Sequence, residues 1–303
     1  MTISAQQSNV KNIFFQMMIF SLLSILFFPA SRLNASPQSK ERVKENFDNN
    51  WRFHLGDVNN GQDIKLKDAQ WRELNLPHDW SIEGKFNKNN PASVSGGALP
   101  GGIGWYRKTF TLPESDKDKL VFINFDGVYR DGQVWINGHY LGIRPYGYSS
   151  FQYELTPYLN YGSKKNIIAV KVDNSKQPNS RWYSGSGIYR NVWLVTTNKV
   201  YVDHWGTYIT TPEVTNESAK VSIQVKVRNA TGMDQNATVK TTVLNKDGEK
   251  VAEVETRTSI LKDSAAEVSQ NLTVKNPELW SVENPYLYNA VTTIENGSKT
   301  SDD

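Results

Sequence analysis

Short runs in which apolar and polar residues alternate constrain the fold of this chain more than any other feature. In "AKVSIQVKVRN", valine or isoleucine occupies every second position from Val221 to Val227, with polar residues between them. This period of two is typical of a β-strand with one buried face and one solvent-exposed face. "QVWINGHYLG" and "TVKTTVLNKDGEKVAEVE" place Asn137-Gly138 and Asp247-Gly248 between such runs. Both dipeptides favour the tight turn of a β-hairpin.

The spacing of the runs predicts an all-β chain with two antiparallel β-sandwiches. "KLVFINFDGV", "NIIAVKVDN" and "IYRNVWLV" fall within 45–203 at spacings that suit a sandwich rather than a βαβ fold. Past Thr210 tryptophan becomes scarcer and valine and threonine increase, which predicts a smaller sandwich of immunoglobulin type over 204–303. The closing segment "ENGSKTSDD" is typical of a turn after a strand, and we expect at least one strand of this sandwich to be missing.

The N-terminal segment has the pattern of a secretory signal. Lys11 precedes an apolar stretch from Ile13 to Phe28, and small residues follow as far as Ala35. This order predicts a signal peptide over 1–35, a polar linker over 36–44 and export to the periplasm or the extracellular space. A membrane anchor is the alternative, because a mainly apolar stretch of sixteen residues is near the lower limit for a span.

Composition excludes several classes of partner and site. The net charge is +3 and basic residues are interspersed with acidic ones, so the sequence predicts no nucleic-acid partner. The chain has no cysteine, which excludes disulfides and a lipid-modified cysteine anchor. No metal and no cofactor are predicted, because the histidines lack ligand spacing; they are His54, His78, His139 and His204.

The glycine-rich stretch "SGGALPGGIGWYRKTF" raises the question of a phosphate-binding loop. Such a loop needs a helix after it, whereas "WYRKTFTL" has the aromatic alternation of a strand. Two interpretations remain open, a structural surface loop and a loop that approaches a ligand closely. The candidate residues for close approach are Gly97, Leu99, Gly101 and Gly102.

A series of motifs gives the chain a family resemblance. "LNLPHDWSIEG", "GGALPGGIGWYRKTF", "FDGVYRDGQVWINGHYLG", "YGYSSFQYELTPYL", "NIIAVKVDN", "SRWYSGSGIYRNVWL" and "NPELWSVENPYLY" occur in that order. The series resembles the N-terminal half of glycoside hydrolase family 2, especially its β-galactosidases, over about residues 45 to 303. The resemblance implies a galactose-binding-like jelly roll, then an immunoglobulin-like domain, then a (β/α)₈ barrel.

The same resemblance implies that the catalytic residues lie outside this sequence. Retaining glycosidases use two carboxylates about 5 Å apart, and in this family both are Glu residues on the barrel, which needs about 250 further residues. Two carboxylate candidates lie within the chain. Asn216-Glu217 is interpreted as a solvated turn, and the pair Asp79 and Glu83 as a turn whose carboxylate accepts hydrogen bonds from local backbone.

Residues before the "SGIYRNV" strand are the main binding candidates that the resemblance implies. Arg181, Trp182 and Tyr183 occupy the segment that the family places at the rim of its sugar site. Arginine donates a fork of hydrogen bonds, and an aromatic face can receive a sugar ring. The alternative is that the two aromatic residues pack against the missing barrel with Arg181 as their salt-bridging neighbour. Some relatives have an acidic residue here that is used with a monovalent cation, and its absence argues against a bound sodium.

Further candidates are assigned mainly structural roles. His78, Asp79 and Trp80 are weaker rim candidates and are expected to fix the loop between early strands. Three tryptophans within strand or turn motifs are expected to pack in a core or an interface: Trp135, Trp193 and Trp280.

The resemblance predicts the non-catalytic N-terminal portion of an exported β-galactosidase. Its partners would be a β-galactoside oligosaccharide or glycan and the missing barrel, and an oligomer is possible. The alternative is a free-standing secreted carbohydrate-binding module without hydrolase activity.

Overall fold

The computed structural model describes residues 41–297 and 299–302. The predicted signal peptide and most of the predicted linker lie outside these residues. The described part of the chain is a single compact unit of antiparallel β-strands, and none of its helices is long and apolar enough to cross a bilayer.

The first sandwich consists of two antiparallel sheets. Its strands are β1 Val43–Asn46, β2 Trp51–Leu55, β3 Arg72–Leu74, β4 Gly102–Phe110, β5 Leu120–Phe125, β6 Gly132–Ile136, β7 His139–Arg144, β8 Phe151–Glu154, β9 Asn166–Asn174 and β10 Val192–Thr197. One sheet has the order β1-β10-β5-β8, and the other has the order β3-β2-β4-β9-β6-β7. Aromatic and aliphatic side chains from both sheets form one buried core, with Trp51, Phe125 and Ile168 fully enclosed.

The second sandwich is built from longer strands with smaller side chains. They are β11 Val200–Val214, β12 Ser218–Asn229, β13 Gln235–Leu244, β14 Lys250–Ile260, β15 Ala265–Lys275, β16 Asn289–Asn296 and β17 Lys299–Asp302. The sheets have the orders β11-β12-β15 and β14-β13-β16-β17. The alternating residues Val221 to Val227 of β12 are all buried, so the predicted apolar face of this strand is confirmed.

Both predicted hairpins are confirmed. Asn137 and Gly138 join β6 to β7 with φ values of 51° and 83°, and positive φ at both central residues is the requirement of a type I′ turn. The turn between β13 and β14 contains Gly248 with φ of 82°. The sequence alone therefore placed these two strand pairs correctly.

The closing segment contains more than the expected turn. Gly297 adopts φ of 66°, and β17 then pairs antiparallel with β16. "KTSD" lacks apolar alternation, and only its pairing with β16 reveals the strand. A further strand beyond it stays a prediction.

A buried carboxylate joins the two sandwiches. Asp302 is fully buried and accepts two hydrogen bonds from Arg42, at 2.9 and 2.7 Å. It also accepts hydrogen bonds from the Val202 amide at 2.6 Å and the Thr197 hydroxyl at 3.2 Å. Asp302, on the last strand of the second sandwich, thus connects the start of β1 and the end of β10.

Candidate functional site

Three segments that are far apart in sequence meet beside β4. Residues 78–80 pair through their backbone with residues 186–188: the His78 amide donates to the Ile188 carbonyl at 2.8 Å, and the Trp80 amide donates to the Ser186 carbonyl at 3.0 Å. The glycine-rich loop is the third segment. Most of the candidate site residues lie where these segments meet.

Asp79 connects two of the segments. Its Oδ1 accepts hydrogen bonds from the Ser81 amide at 2.9 Å and the Ser186 amide at 2.8 Å. Its Oδ2 accepts a very short hydrogen bond from the Tyr183 hydroxyl. Burial and the Asp79 carboxylate raise the pKa of Tyr183 well above its usual range, so Tyr183 keeps its proton and acts as the donor.

Two glycines let the loop approach its neighbours closely. Gly97 has φ of 89°, and a Cβ at this position would lie 3.3 Å from the Tyr183 ring. At Gly101 a Cβ would lie 2.5 Å from the Asn174 carbonyl oxygen, and the Gly101 carbonyl accepts a hydrogen bond of 3.0 Å from Trp80 Nε1. These two glycines are therefore needed for packing of the loop against Trp80 and Tyr183.

The remaining loop candidates complete this arrangement. Leu99 is buried, and Gly102 opens β4 directly after the loop. Because a strand and not a helix follows, the phosphate-loop interpretation is excluded, as the sequence predicted.

His78 belongs to a second network, which runs from the buried Tyr106 to the exposed Arg72 and Glu83. Its Nδ1 lies 2.7 Å from the Tyr106 hydroxyl, and its Nε2 lies 2.7 Å from Arg72 Nη2 and 3.2 Å from Glu83 Oε1. Burial lowers the pKa of His78, so the ring is neutral and orients its neighbours by hydrogen bonds.

The residues of the predicted rim segment diverge. Tyr183 turns to Asp79, whereas Trp182 Nε1 donates to the Tyr148 hydroxyl at 3.0 Å. Trp182 and Tyr183 remain 61% and 40% exposed, which leaves their faces open to a ligand or a partner domain. Arg181 is exposed, and no ion pair joins it to another described residue; the salt bridge of the packing alternative stays a prediction.

Neither of the two carboxylate candidates within the chain has the features of a catalytic pair. Asp79 accepts local backbone hydrogen bonds, as expected. Glu83 pairs with Arg72 at 2.8 Å, which lowers the pKa of this carboxyl, whereas a general acid needs a raised pKa. Asn216-Glu217 lies in an exposed turn between β11 and β12. The arrangement is therefore suited to binding and positioning.

The three tryptophans assigned to packing have different environments. Trp135 stacks on Trp105 with ring centroids 5.4 Å apart, and Trp193 Nε1 donates to Asp126 at 2.8 Å. Trp280 is 59% exposed, so it is not a core residue. Its role at an interface stays a prediction.

The described residues contain no cluster of three or more His, Asp or Glu side chains placed to hold a metal ion. Two residues of the site are not among the candidates that the sequence indicates. Ser186 and Asn174 are buried within it, joined by a hydrogen bond of 2.7 Å. Ser186 lies in "SRWYSGSGIYRNVWL" and Asn174 ends "NIIAVKVDN", so these two motifs are the signal that could have indicated them.

The two folds define a class of protein: a jelly roll joined to an immunoglobulin-like sandwich. The model of the glycosyl hydrolase family 2 sugar-binding domain matches residues 44–198, and the glycosyl hydrolases family 2 model matches residues 200–303. The chain belongs to glycosyl hydrolase family 2.

Named relatives differ in the sugar that they act on. The chain is 49% identical over 255 residues to the β-galactosidase BoGH2A of Bacteroides ovatus, covering 84% of this chain and 30% of that protein. It is 42% identical to a putative β-glucuronidase of Formosa agariphila, covering 87% of this chain and 24% of that protein. The chain thus spans less than a third of the length of these relatives.

Solved structures agree with the fold. A family 2 member from Bacteroides cellulosilyticus superposes with a TM-score of 0.82 at 38% identity, covering 86% of this chain and 34% of that chain. A family 2 β-glucuronidase gives a TM-score of 0.81 at 31% identity, covering 87% of this chain and 30% of that chain.

Proposed function

We propose that this chain is the non-catalytic N-terminal portion of an exported family 2 glycosidase that hydrolyses terminal β-galactosides. A (β/α)₈ barrel in the remainder of the polypeptide would supply the two catalytic carboxylates. The chain would shape the entrance to the barrel and support it. The share of its relatives that the chain covers, 30% for the B. ovatus β-galactosidase, supports this division of roles.

The contact of Asp79 with Tyr183 is the observation that carries the proposal. It holds Tyr183 against Gly97 of the glycine-rich loop, and both segments are the ones that the family resemblance assigns to the sugar rim. A tyrosine that donates its proton internally still offers its oxygen as an acceptor for a sugar hydroxyl. Rigid positioning of this kind favours binding, because little side-chain freedom is lost when the ligand arrives.

A β-glucuronidase is the second candidate function. Arg181 is exposed and no ion pair joins it to another described residue, and a guanidinium matches the carboxylate of a glucuronide in geometry and charge. The higher identity to the β-galactosidase, 49% against 42%, favours the galactoside.

A chimera tests the proposal. Residues 44–303 of this chain would replace the matching region of the B. ovatus β-galactosidase, and initial rates would be measured with p-nitrophenyl β-galactoside and p-nitrophenyl β-glucuronide. We expect β-galactosidase activity, and we expect the full-length chain alone to be inactive. Steady turnover by the purified chain alone would contradict the division of roles.

Substitutions in the chimera test the rim. Tyr183→Ala removes a ring that contacts the glycine loop, and we expect KM for the galactoside to rise by about tenfold with a smaller change in kcat. Tyr208→Ala is the matched control, because Tyr208 is an exposed tyrosine of the second sandwich. An unchanged KM in Tyr183→Ala would remove this residue from the rim.

Export is tested separately from activity. The order of Lys11, the apolar stretch and the small residues up to Ala35 is the support for a signal peptide. N-terminal sequencing of the native protein should begin after Ala35. A native protein that retains residues 1–35 would favour the membrane anchor.

A further inference from the structure

A cavity lies on the first sandwich, where the loop after β7 folds over residues 129–130. The cavity has a volume of about 320 Å³, at the lower end of the range typical of small-molecule sites. Its lining is aromatic and polar: Tyr129, Arg130, Pro145, Tyr146, Tyr148 and Asn179.

Aromatic rings form the walls of this cavity. Tyr148 lies edge-on to Tyr129 with centroids 5.2 Å apart, and edge-on to Tyr146 at 5.7 Å. Tyr146 and Tyr148 are 62% and 44% exposed, and Trp182 extends this surface through its hydrogen bond to Tyr148. Neighbouring exposed aromatic residues around a concavity are characteristic of a ligand-binding surface.

The cavity is held rigidly. The Tyr129 amide and carbonyl both pair with Gly187, at 2.9 and 3.0 Å. Gly147 packs directly on the Tyr129 ring, so that no side chain would fit there, and its carbonyl accepts a hydrogen bond of 2.8 Å from Tyr189. The Arg130 carbonyl accepts a further hydrogen bond from the Asp173 amide. A ligand would therefore meet a preformed site.

The polar groups of the cavity carry little uncompensated charge. Arg130 Nε lies 3.2 Å from the Asp131 carboxylate, so its cation is locally paired. Asn179 accepts hydrogen bonds from Tyr129 at 3.2 Å and Ser184 at 3.1 Å and donates to Asn174 Oδ1 at 2.9 Å, so it holds the Tyr129 hydroxyl in place. The Tyr129 oxygen still offers an acceptor site, and tyrosine hydroxyl groups beside aromatic faces match a ligand that has both hydroxyl groups and an apolar C–H face.

We propose that this cavity is a binding site for one neutral hexopyranose unit, separate from the rim formed by Asp79, Gly97 and Tyr183. Tyr148 and Trp182 stack on the apolar face of the ring, and the hydroxyl groups of Tyr129 and Tyr146 bind its hydroxyl groups. The proposal deepens the proposed function, on which it rests, because the unit would belong to the same glycan substrate. Trp182 and Tyr183 are adjacent in sequence but face different sites, so one segment connects the two.

Binding of methyl β-D-galactopyranoside to the full-length chain tests this site. Titration followed by tryptophan fluorescence and by saturation-transfer NMR should show saturable binding. Tyr148→Ala should weaken it by about tenfold, the effect of removing one stacking face. Tyr148→Phe keeps the ring and should bind within about threefold of the wild type. Tyr208→Ala on the second sandwich is the remote control and should bind like the wild type.

Each contrary outcome has a defined meaning. Absence of saturable binding, or equal affinity in wild type and Tyr148→Ala, would overturn the proposed site. Equal or tighter binding of methyl β-D-glucuronide would overturn its assignment to a neutral sugar. Thermal unfolding of every variant separates loss of binding from loss of fold. The outcome is independent of the chimera assay, because that assay reports hydrolysis and the Tyr183 rim.

Discussion

The two sandwiches share an all-β architecture but differ in the side chains that they bury. The first encloses charged and polar side chains such as Arg107, His78 and Asn174 next to a core of large aromatic residues. The core of the second is mainly valine, isoleucine and alanine, with Thr241 and Gln270 among its few buried polar groups. Buried polar side chains are therefore concentrated in the sandwich whose loops need to be held in place. Their hydrogen bonds fix the segments that form both candidate sites.

Removal of a buried charge partner should give the largest effect and should be specific to the first sandwich. Arg107 is 1% exposed and pairs with Asp68 at 2.8 Å. Asp68→Ala leaves this guanidinium without its carboxylate, and we expect a loss of about 3–5 kcal/mol in the free energy of unfolding. Urea denaturation of the variant and the wild type measures this difference in the free energy of unfolding. Glu253→Ala breaks an exposed pair with Lys240 in the second sandwich and should cause little change; equal losses would refute the contrast.

Truncation in the aliphatic core should come next. Ile223 is fully buried on β12, and Ile223→Ala should cost about 2–4 kcal/mol through lost contacts and a residual cavity. Its neighbour Gln224 faces solvent, so Gln224→Ala is the matched control and should change stability by less than about 0.5 kcal/mol. Similar losses for the two variants would show that alternation does not define the core of this sandwich.

A smaller effect should distinguish two tryptophans. Trp80→Phe loses the hydrogen bond to the Gly101 carbonyl, and we expect a cost of about 1–2 kcal/mol together with faster proteolysis within the glycine-rich loop. Trp280→Phe affects an exposed side chain of the second sandwich and should leave stability and cleavage near wild type. Protection of the loop in Trp80→Phe would mean that this hydrogen bond does not fix it.

The pH dependence of stability should give the smallest effect. Burial lowers the pKa of His78 in the folded state, so the unfolded chain binds a proton more readily. The free energy of unfolding should therefore fall as pH drops below about 6.5, and it should level off below the folded pKa. His78→Gln should reduce this slope, whereas His139→Gln, at an exposed position, should not. An unchanged slope in His78→Gln would assign the dependence to other groups, such as His204, whose pKa burial also lowers.

Local sequence rules predicted local structure well. The turn at Asn137-Gly138 and the buried face of β12 depend on a few neighbouring residues, and both are confirmed. Long-range contacts could not be predicted in this way, because local patterns do not pair distant residues. Asp79 and Tyr183, for example, are 104 positions apart. The sequence does not indicate the cavity beside Tyr148 either, although the motif "YGYSSFQYELTPYL" contains this residue. No local period indicates that this segment folds over Tyr129.

The hydrogen bonds between Arg42 and Asp302 also bear on the order in which the molecule folds. The two residues are separated by 260 positions, and the entropy cost of closing a flexible loop increases with its length. Once each sandwich has folded, the intervening chain is already compact and that cost is largely met. The contact between Arg42 and Asp302 should therefore be among the last to form during synthesis, after both hydrophobic cores are complete.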